Sequence, residues 1–381
     1  MIETESFLAG GLLKKKRNIK MEIRHIEADR AEQQRIFVSS EDGRFKYQVF
    51  MDYAKNLPSK YELVPYQGNV AGGCVDKKTD TLYCGLRGGG FMRNDPATCL
   101  IKLDTAGNYI GSIGEGILPG YIHFFEMTDH NTICIATTND NCLVEISMDG
   151  RKIVKTIGEK GKPCDNHRDM AKWETELLMH KGVIPTEPFH SHGFNAYTWG
   201  LNTMKGELGK PFHNPTDVSF DSKGNYYISD GYNNVAVHKF DADGKYVKTW
   251  GGTGVFDPYT DTPGKFLVPH SICVDSSDQV WVCDREKDAV HVFDTEGNVV
   301  AYFSHNLSQP SGVDTDGTYT YVAGRGGYIT IFDKNCKIVG ELGFFNGNFR
   351  AHSLAADSKG NLYLFPTHAN YEHQIIALKK M

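Results

Sequence analysis

A repeat of about 40 residues is the feature that most constrains the fold of this chain. Each copy consists of a short apolar run, an acidic residue, a glycine-containing turn and an aromatic-rich run. Six copies align on the anchor residues Val70, Ile122, Pro215, Pro269, Pro310 and Ala351. A period of this length with four strand-like runs per copy is typical of propeller blades. Because one blade cannot bury both faces of its sheet alone, six copies predict an all-β, six-bladed β-propeller.

The repeat also sets the predicted domain boundaries. Residues 1–60 precede the first copy and form an N-terminal arm, in which residues 45–53 are a candidate for a strand that closes the ring. Residues 61–381 form the propeller. An insertion, residues 158–211, interrupts the period between the second and third copies. Such an insertion in a compact fold is usually a functional lid or a disordered excursion, and we expect a lid.

Charge and composition argue against several classes of protein. The formal net charge is −6, whereas nucleic-acid binders present a basic face. No apolar run reaches the roughly 18 residues of a membrane span. The nine cysteines contain no CxxC pair, and the N-terminus lacks the pattern of a secretory signal. Both features favour reduced thiols and a cytoplasmic location. We expect a monomer, because a closed propeller has no free sheet edge.

Histidine alternates with small residues directly after the anchors. The six residues at this position are Ala71, His123, Thr216, His270, Ser311 and His352. Alternate blades of a six-bladed ring are about 120° apart, so three histidines at one register would converge on the axis. One histidine at such a place usually completes a turn, but three in alternate blades favour a metal site. Three histidine nitrogens and one open position are typical of catalytic zinc, with iron as the alternative.

A second set of residues lies sixteen places after the histidine register, where the second strand of a blade ends. Arg87, Tyr232 and His368 occupy this place, and Arg285 lies one place earlier in its blade. An arginine beside a metal suits a substrate carboxylate, which it binds through two hydrogen bonds. Tyr232 is a candidate base, because nearby cations favour the phenolate. Arg87 and Tyr232 can equally be turn residues with buried stems.

These residues resemble the catalytic core of the peptidyl-α-hydroxyglycine α-amidating lyases, and the repeats resemble the NHL type of propeller repeat. The most specific segments are NPTD…YISDGY, FLVPHS…VCDRE and AHSLAADSKGNLY, and the resemblance extends from about Asn69 to Leu378. It implies that the three histidines bind zinc. It also implies that Tyr232 is the base, that Arg87 receives the substrate carboxylate and that Arg285 lies close to the site.

The reaction implied by the resemblance splits a carbinolamide, R–CO–NH–CH(OH)–COO⁻, into an amide and glyoxylate. The substrate is then a small molecule or short peptide that carries a carboxylate. Metal coordination polarises the hydroxyl group, a base takes its proton and the C–N bond breaks. Either Tyr232 or a metal-bound hydroxide can serve as the base.

Three positions differ from the family pattern. Asn233 follows Tyr232 where the family has cysteine, and Ser353 stands where the family has a calcium-binding aspartate. We therefore expect no structural calcium. Arg350 replaces a sulfur-containing neighbour of the third histidine and adds positive charge. We predict that Arg350 and His368 bind substrate together with the two arginines named above, and that the substrate is different or more acidic.

Two other functions are alternatives. A propeller lactonase or hydrolase of the gluconolactonase type would bind calcium through carboxylate and asparagine ligands. Glu126, near His123, is the acidic residue that could alter the ligand set in that direction. A non-catalytic NHL scaffold would bind a protein on the propeller face and would need no metal. Imidazole ligands favour zinc or iron.

Overall fold

The architecture is that of a computed structural model, which describes residues 37–61, 70–87, 98–164, 211–252, 261–304, 307, 309–343, 351–366 and 375–381. The described strands form six antiparallel sheets. The first strands of neighbouring sheets contact one another in a ring, so that each sheet is a blade around a central axis. This confirms the predicted all-β, six-bladed propeller.

Strands follow one another from the axis outwards within each blade. Before the first blade lie β1 (Phe37–Ser39) and β2 (Lys46–Phe50). Blade one contains β3 (Val70–Asp76), β4 (Thr81–Leu86), β5 (Cys99–Leu103) and β6 (Tyr109–Ile113). Blade two contains β7 (Phe125–Met127), β8 (Thr132–Thr137), β9 (Cys142–Ser147) and β10 (Ile153–Gly158). Blade three contains β11 (Asp217–Phe220), β12 (Tyr226–Asp230), β13 (Ala236–Phe240) and β14 (Tyr246–Gly251).

The second half of the chain repeats this pattern. Blade four contains β15 (Pro269–Val274), β16 (Val280–Asp284), β17 (Ala289–Phe293) and β18 (Val299–Ser304). Blade five contains β19 (Pro310–Thr315), β20 (Thr320–Gly324), β21 (Tyr328–Phe332) and β22 (Ile338–Gly343). Blade six contains β23 (Ser353–Ala356), β24 (Leu362–Phe365) and β25 (Ile376–Lys380). Short 3₁₀ helices span Ser59–Tyr61, Thr138–Asp140 and Arg285–Lys287.

The two ends of the chain meet in blade six. Strand β2 pairs antiparallel with β25, from Tyr47 opposite Lys380 to Phe50 opposite Ala377. The strand that closes the ring therefore lies inside residues 45–53. Strand β1 then adds a fifth strand outside β2, which the pattern of four runs per copy does not anticipate. This pairing joins the first and last blades without a covalent link.

The apolar core is divided among the interfaces between blades. Six buried clusters occur, and each contains residues from two neighbouring blades. In the cluster between blades four and five, for example, Trp281 is fully buried and its ring lies 5.1 Å from that of Phe332. Among the described residues, every buried cluster spans two blades, so the ring must close for the apolar faces to be buried.

The acidic residue shared by the copies has a structural role. Asp221, Asp275 and Asp357 each end the first strand of a blade and accept hydrogen bonds from the backbone N–H groups two and four residues later. Asp and Asn commonly close turns in this way. These turns fix the register of the innermost strands, and hence of the residues that face the axis.

The insertion leaves and re-enters the fold at one point. The N–H of Cys164 donates to the carbonyl of Phe212 at 2.8 Å, and Phe212 is buried between blades two and three. The predicted lid, within residues 158–211, lies outside the described residues from 165 to 210. Among the described residues, no helix is both long and apolar enough to cross a bilayer. All nine cysteines are described, and all are free thiols.

Candidate metal centre

The three predicted metal ligands meet on the axis. His123 lies two residues before β7 of blade two, and His352 lies one residue before β23 of blade six. His270 is the second residue of β15 in blade four. Each imidazole is buried, with at most 2% of the residue exposed. The ring centroids are 4.7 to 5.1 Å apart. One nitrogen of each ring lies within 4.8 Å of those of the others, so the trio can hold a metal ion.

The small residues that alternate with the histidines fix the imidazole orientation. His123 Nδ1 lies 2.7 Å from the carbonyl of Thr216, and His270 Nδ1 lies 2.8 Å from that of Ser311. His352 Nδ1 lies 3.2 Å from the carbonyl of Ala71. A carbonyl only accepts, so each Nδ1 must carry the proton and each Nε2 presents a lone pair. Such a contact, from the next blade in all three cases, is the usual support of a metal-binding histidine.

The protonation state of the trio also suits metal binding. Burial is the largest cause that holds the pKa of each imidazole well below its usual value of 6.5. Positive charge is the next cause: Arg87 acts on His123, Arg285 on His270, and His270 on His352. The histidines are therefore neutral at pH 7, and a metal ion need not displace protons from them.

Phe124 closes one side of the site. Its ring centroid lies 4.1 Å from that of His123, 5.2 Å from His270 and 5.0 Å from His352. A side chain at Gly72 would be only 2.7 Å from the Phe124 ring and 2.9 Å from the hydroxyl of Ser353. Phe124 thus packs against one side of the trio. We call the opposite side of the trio the open side.

Tyr232 lies on that open side. Its phenol oxygen is 2.9 Å from His123 Nε2 and 3.1 Å from His270 Nε2. These are the nitrogen atoms that would bind a metal, so the phenol lies next to the metal position. The preceding Gly231 is necessary for this placement, because a Cβ there would be 2.0 Å from the carbonyl oxygen of Pro269.

Two of the predicted arginines lie around the same opening. Arg87 is buried, donates from Nε to the carbonyl of Ile122 at 2.8 Å and lies 4.5 Å from the centre of the Tyr121 ring. Arg285 is also buried, donates from Nε to both oxygens of Glu286 and lies 5.7 Å from the centre of the Tyr232 ring. Each guanidinium is therefore held in place through its Nε.

Two other predicted substrate ligands, Arg350 and His368, lie outside the described residues. A further arginine, Arg325 in blade five, is not among the residues predicted from the sequence. Its charge contributes to lowering the pKa of His270 and of His352, which places it near the trio. Arg325 directly follows the second strand of its blade, as Arg87 and Arg285 do. This position could have identified it from the sequence.

A second polar layer lies further along the axis. Glu126 and Asp314 are three residues beyond the histidine register, about 10 Å along the strands. Lys77 Nζ lies 3.3 Å from Asp314 Oδ1 and 2.8 Å from the carbonyl of Thr315. Burial is the largest cause that raises the pKa of Glu126, and the charge of Asp314 adds to it. We call Glu126, Asp217, Asp314 and Lys77 the lower layer, and the three histidines the upper layer.

Asp217 completes the lower layer. Its carboxylate accepts hydrogen bonds from the Ser271 hydroxyl at 2.8 Å and from the backbone N–H groups of Ile272 and Val218 at 2.9 and 2.8 Å. It therefore ties blade three to blade four. Within the described residues, the group that can hold a metal comprises the three histidines without a carboxylate. Glu126 belongs to the lower layer and does not join that ligand set.

Known proteins share the repeat and part of the sequence with this chain. Residues 266–293 match the family model of the NHL repeat. The chain is a six-bladed β-propeller in which this segment matches the NHL repeat. Peptidyl-glycine alpha-amidating monooxygenase A of Xenopus laevis is 27% identical over 263 residues, which are 62% of this chain and 27% of that protein. The propeller chain thus spans about a quarter of the length of this relative.

Two shorter relatives also match. A probable peptidyl-alpha-hydroxyglycine alpha-amidating lyase of Caenorhabditis elegans is 27% identical over 177 residues, 43% of this chain and 47% of that protein. NHL repeat-containing protein 3 of Homo sapiens is 31% identical over 234 residues, 54% of this chain and 64% of that protein. Among solved structures, a gluconolactonase of Xanthomonas campestris aligns with a TM-score of 0.52 at 10% identity, covering 89% of this chain and 91% of that chain. At this identity the likeness concerns the fold alone.

Proposed function

We propose that this propeller is a zinc-dependent lyase that cleaves the C–N bond of an N-acyl-α-hydroxyglycine to give an amide and glyoxylate. The observation that carries the proposal is the convergence of three neutral imidazoles, each with Nε2 free of its proton, beside the Tyr232 phenol. A donor set of nitrogen atoms favours zinc or iron over calcium. Relatives named as amidating enzymes support the same reaction class.

Zinc, when bound, would polarise the hydroxyl group of the substrate and make its proton easier to remove. The Tyr232 phenolate takes this proton, and the C–O bond becomes the aldehyde of glyoxylate as the C–N bond breaks. The leaving amide nitrogen then takes the proton back from Tyr232, which restores the phenolate. Proton transfer by a positioned side chain typically contributes about 10²- to 10⁴-fold to the rate.

Arg87 binds the substrate carboxylate in this scheme. Its Nε is committed to the Ile122 carbonyl and its plane lies over Tyr121, so the guanidinium is fixed before substrate arrives. A fixed arginine loses little freedom on forming two parallel hydrogen bonds to a carboxylate. The guanidinium carbon of Arg285 lies 5.7 Å from the centre of the Tyr232 ring. Glu286 holds Arg285 in that place.

The gluconolactonase alternative has less support. It requires carboxylate or amide oxygens around the ion, and the potential metal ligands that converge among the described residues are imidazoles. We also propose a cytoplasmic location, because all nine thiols are free and seven of them are buried. Structural thiols of this kind are common where glutathione keeps cysteines reduced.

The proposal is tested by incubating the purified, zinc-loaded full chain with α-hydroxyhippurate and measuring glyoxylate and benzamide. We expect equal amounts of both products. Tyr232→Phe should lower kcat about 10²- to 10⁴-fold and keep its zinc. Tyr246→Phe, an exposed tyrosine of the same blade, is the matched control and should be as active as wild type. A zinc-loaded wild type that releases no glyoxylate would overturn the lyase assignment.

A further inference from the structure

The turn between the third and fourth strands has nearly the same sequence in blades one and four. It reads DTAGN at residues 104–108 of blade one and DTEGN at residues 294–298 of blade four. In both turns the aspartate accepts hydrogen bonds from the backbone N–H groups two and four residues later and from the side chain of the asparagine. The glycine has a positive φ in both. The turns therefore have the same conformation, and Ala106 occupies the position of Glu296.

Glu296 neutralises two lysines in the interface between blades three and four. Its carboxylate lies 3.2 Å from Nζ of Lys239, on the third strand of blade three, and 3.7 Å from Nζ of Lys248, on the fourth strand. Lys239 Nζ also lies 5.5 Å from the centre of the Tyr227 ring. Lys248 donates a further hydrogen bond to the backbone carbonyl of Glu296 at 2.6 Å. One acidic side chain thus balances both ammonium groups.

The interface between blades six and one has the corresponding lysines but not the carboxylate. Lys379, on the third strand of blade six, lies 4.5 Å from the centre of the Tyr363 ring and donates to its hydroxyl at 2.6 Å. Lys55, which follows the fourth strand, donates to the backbone carbonyl of Ala106 at 3.3 Å. These contacts match those of the two lysines beside Glu296. Within the part of the chain that the structure describes, no carboxylate pairs with Lys55 or Lys379.

The carboxylates whose charge acts on Lys379 are bound by other groups. Asp357 accepts hydrogen bonds from two backbone N–H groups of its own turn and from the Tyr363 hydroxyl. Asp80 pairs with Lys359 at 2.7 Å. Burial is the largest cause that lowers the pKa of Lys379 to about 8, in spite of the opposing charges of Asp357 and Asp80. The Lys379 ammonium is therefore incompletely compensated by the surrounding protein.

A groove lies beside Ala106, where blade four has the side chain of Glu296. Its volume is about 350 Å³, and its lining includes Phe50, Tyr53, Lys55, Ala106, Lys359 and Lys379. It lies among the turns at the ends of the innermost strands, whereas the three histidines lie at the starts of these strands. The groove is therefore on the face of the propeller opposite the candidate metal centre. Two aromatic rings give it an apolar wall beside three ammonium groups.

We propose that this groove binds a small organic carboxylate, whose charged end lies between Lys379 and Lys55 in the place of the missing glutamate side chain. Charge-assisted hydrogen bonds from the two ammonium groups hold the carboxylate. The apolar part of the ligand packs on the rings of Phe50 and Tyr53. The site goes beyond the proposed lyase function and does not depend on it, because no residue of the metal centre takes part.

The test measures the acetylation of Lys379 by a trace of acetic anhydride at pH 8, in the purified full chain, by mass spectrometry of its peptides. The probe is butanoate, and butanamide is its uncharged control. We expect saturating butanoate to slow the acetylation of Lys379 about 5-fold or more, because a carboxylate within about 4–6 Å favours the charged amine. Butanamide should have no effect. Lys334, an exposed lysine of blade five, is the internal reference and should react equally in all samples.

Two reciprocal variants exchange the interfaces. Ala106→Glu, at an exposed position, should slow the acetylation of Lys379 without any ligand and abolish the response to butanoate. Ala106→Gln has the same size without the charge and should keep the wild-type rate. Glu296→Ala should create a second site, at which butanoate slows the acetylation of Lys248. A wild type whose Lys379 does not respond to butanoate, or an Ala106→Glu variant that responds as wild type does, would overturn the proposal.

Discussion

The upper and lower layers both lie along the innermost strands of the blades, but their side chains differ in charge and in hydrogen-bond partners. In the upper layer, neutral imidazoles have their Nδ1 atoms satisfied by carbonyl groups and direct Nε2 to the axis. In the lower layer, carboxylates accept hydrogen bonds from backbone N–H groups, and Lys77 supplies a positive charge to Asp314. The histidines of the upper layer are at most 2% exposed, whereas 40% of the Lys77 side chain is exposed.

The difference indicates which layer needs an ion from outside the chain. The Tyr232 hydroxyl can donate its one proton to one of the three Nε2 lone pairs of the upper layer, whereas a metal ion can accept all three. The lower layer has its cation in Lys77 and its donors in the backbone. Phe124, whose ring contacts all three histidines, separates the two. A propeller axis can therefore carry one reactive and one structural layer within about 10 Å.

Removal of the Phe124 ring should have the largest effect on this separation. Phe124 is 4% exposed, and a Phe→Ala change in a core typically costs about 3–5 kcal/mol of the free energy of unfolding. We expect Phe124→Ala to show this loss in urea unfolding and to bind zinc at least about 10-fold more weakly, since the histidines lose their support. Phe124→Leu should lose about 1.5 kcal/mol or less. An alanine variant with wild-type stability and zinc affinity would show that Phe124 does not separate the layers.

A smaller, pH-dependent effect is expected in the lower layer. Burial raises the pKa of Glu126 above its usual value of 4.5, so the native state favours the protonated acid. The stability contributed by this proton is present below pH 4.5 and is lost as pH rises through the raised pKa. Glu126→Gln keeps a neutral side chain at all pH values. It should therefore gain about 1–2 kcal/mol over wild type at pH 8 and little at pH 4.5.

Unfolding curves at pH 4.5, 6 and 8 measure this gain. Glu41→Gln, at an exposed site, is the control and should follow wild type at each pH. A Glu126→Gln variant whose advantage is the same at all three values, or greatest at pH 4.5, would contradict the assigned environment of Glu126.

The fold and the histidine trio could be predicted because both depend on spacing. Within a copy, the anchor lies six residues before the acidic position of the turn, as for Pro215 and Asp221, so alignment of the copies on this position finds His123, His270 and His352. The acceptors of their Nδ1 protons could not be found in this way. These acceptors are backbone carbonyls of Ala71 and its equivalents, and a carbonyl group has no sequence signature.

Arg325 could not be found by counting a fixed number of residues from the histidine register. It lies fourteen residues after Ser311, whereas Arg87 lies sixteen after Ala71. The strand pairing nevertheless places Arg325 and Arg87 at equivalent positions, because each follows the residue that pairs with the anchor of its blade. In blades one, four and five, an irregular pairing near the start of the innermost strand also shifts the alternation of side chains. Such a bulge changes which residues face the axis.

The central claim is that the upper layer binds one metal ion through all three histidines. Elemental analysis of the full chain, after zinc loading and removal of excess metal, tests it most directly. We predict about one zinc per chain for wild type and for His130→Ala, an exposed histidine of blade two, and about one-tenth of that or less for a folded His270→Ala variant. A metal-free wild type, or a His270→Ala variant that retains a full equivalent of zinc, would contradict the account.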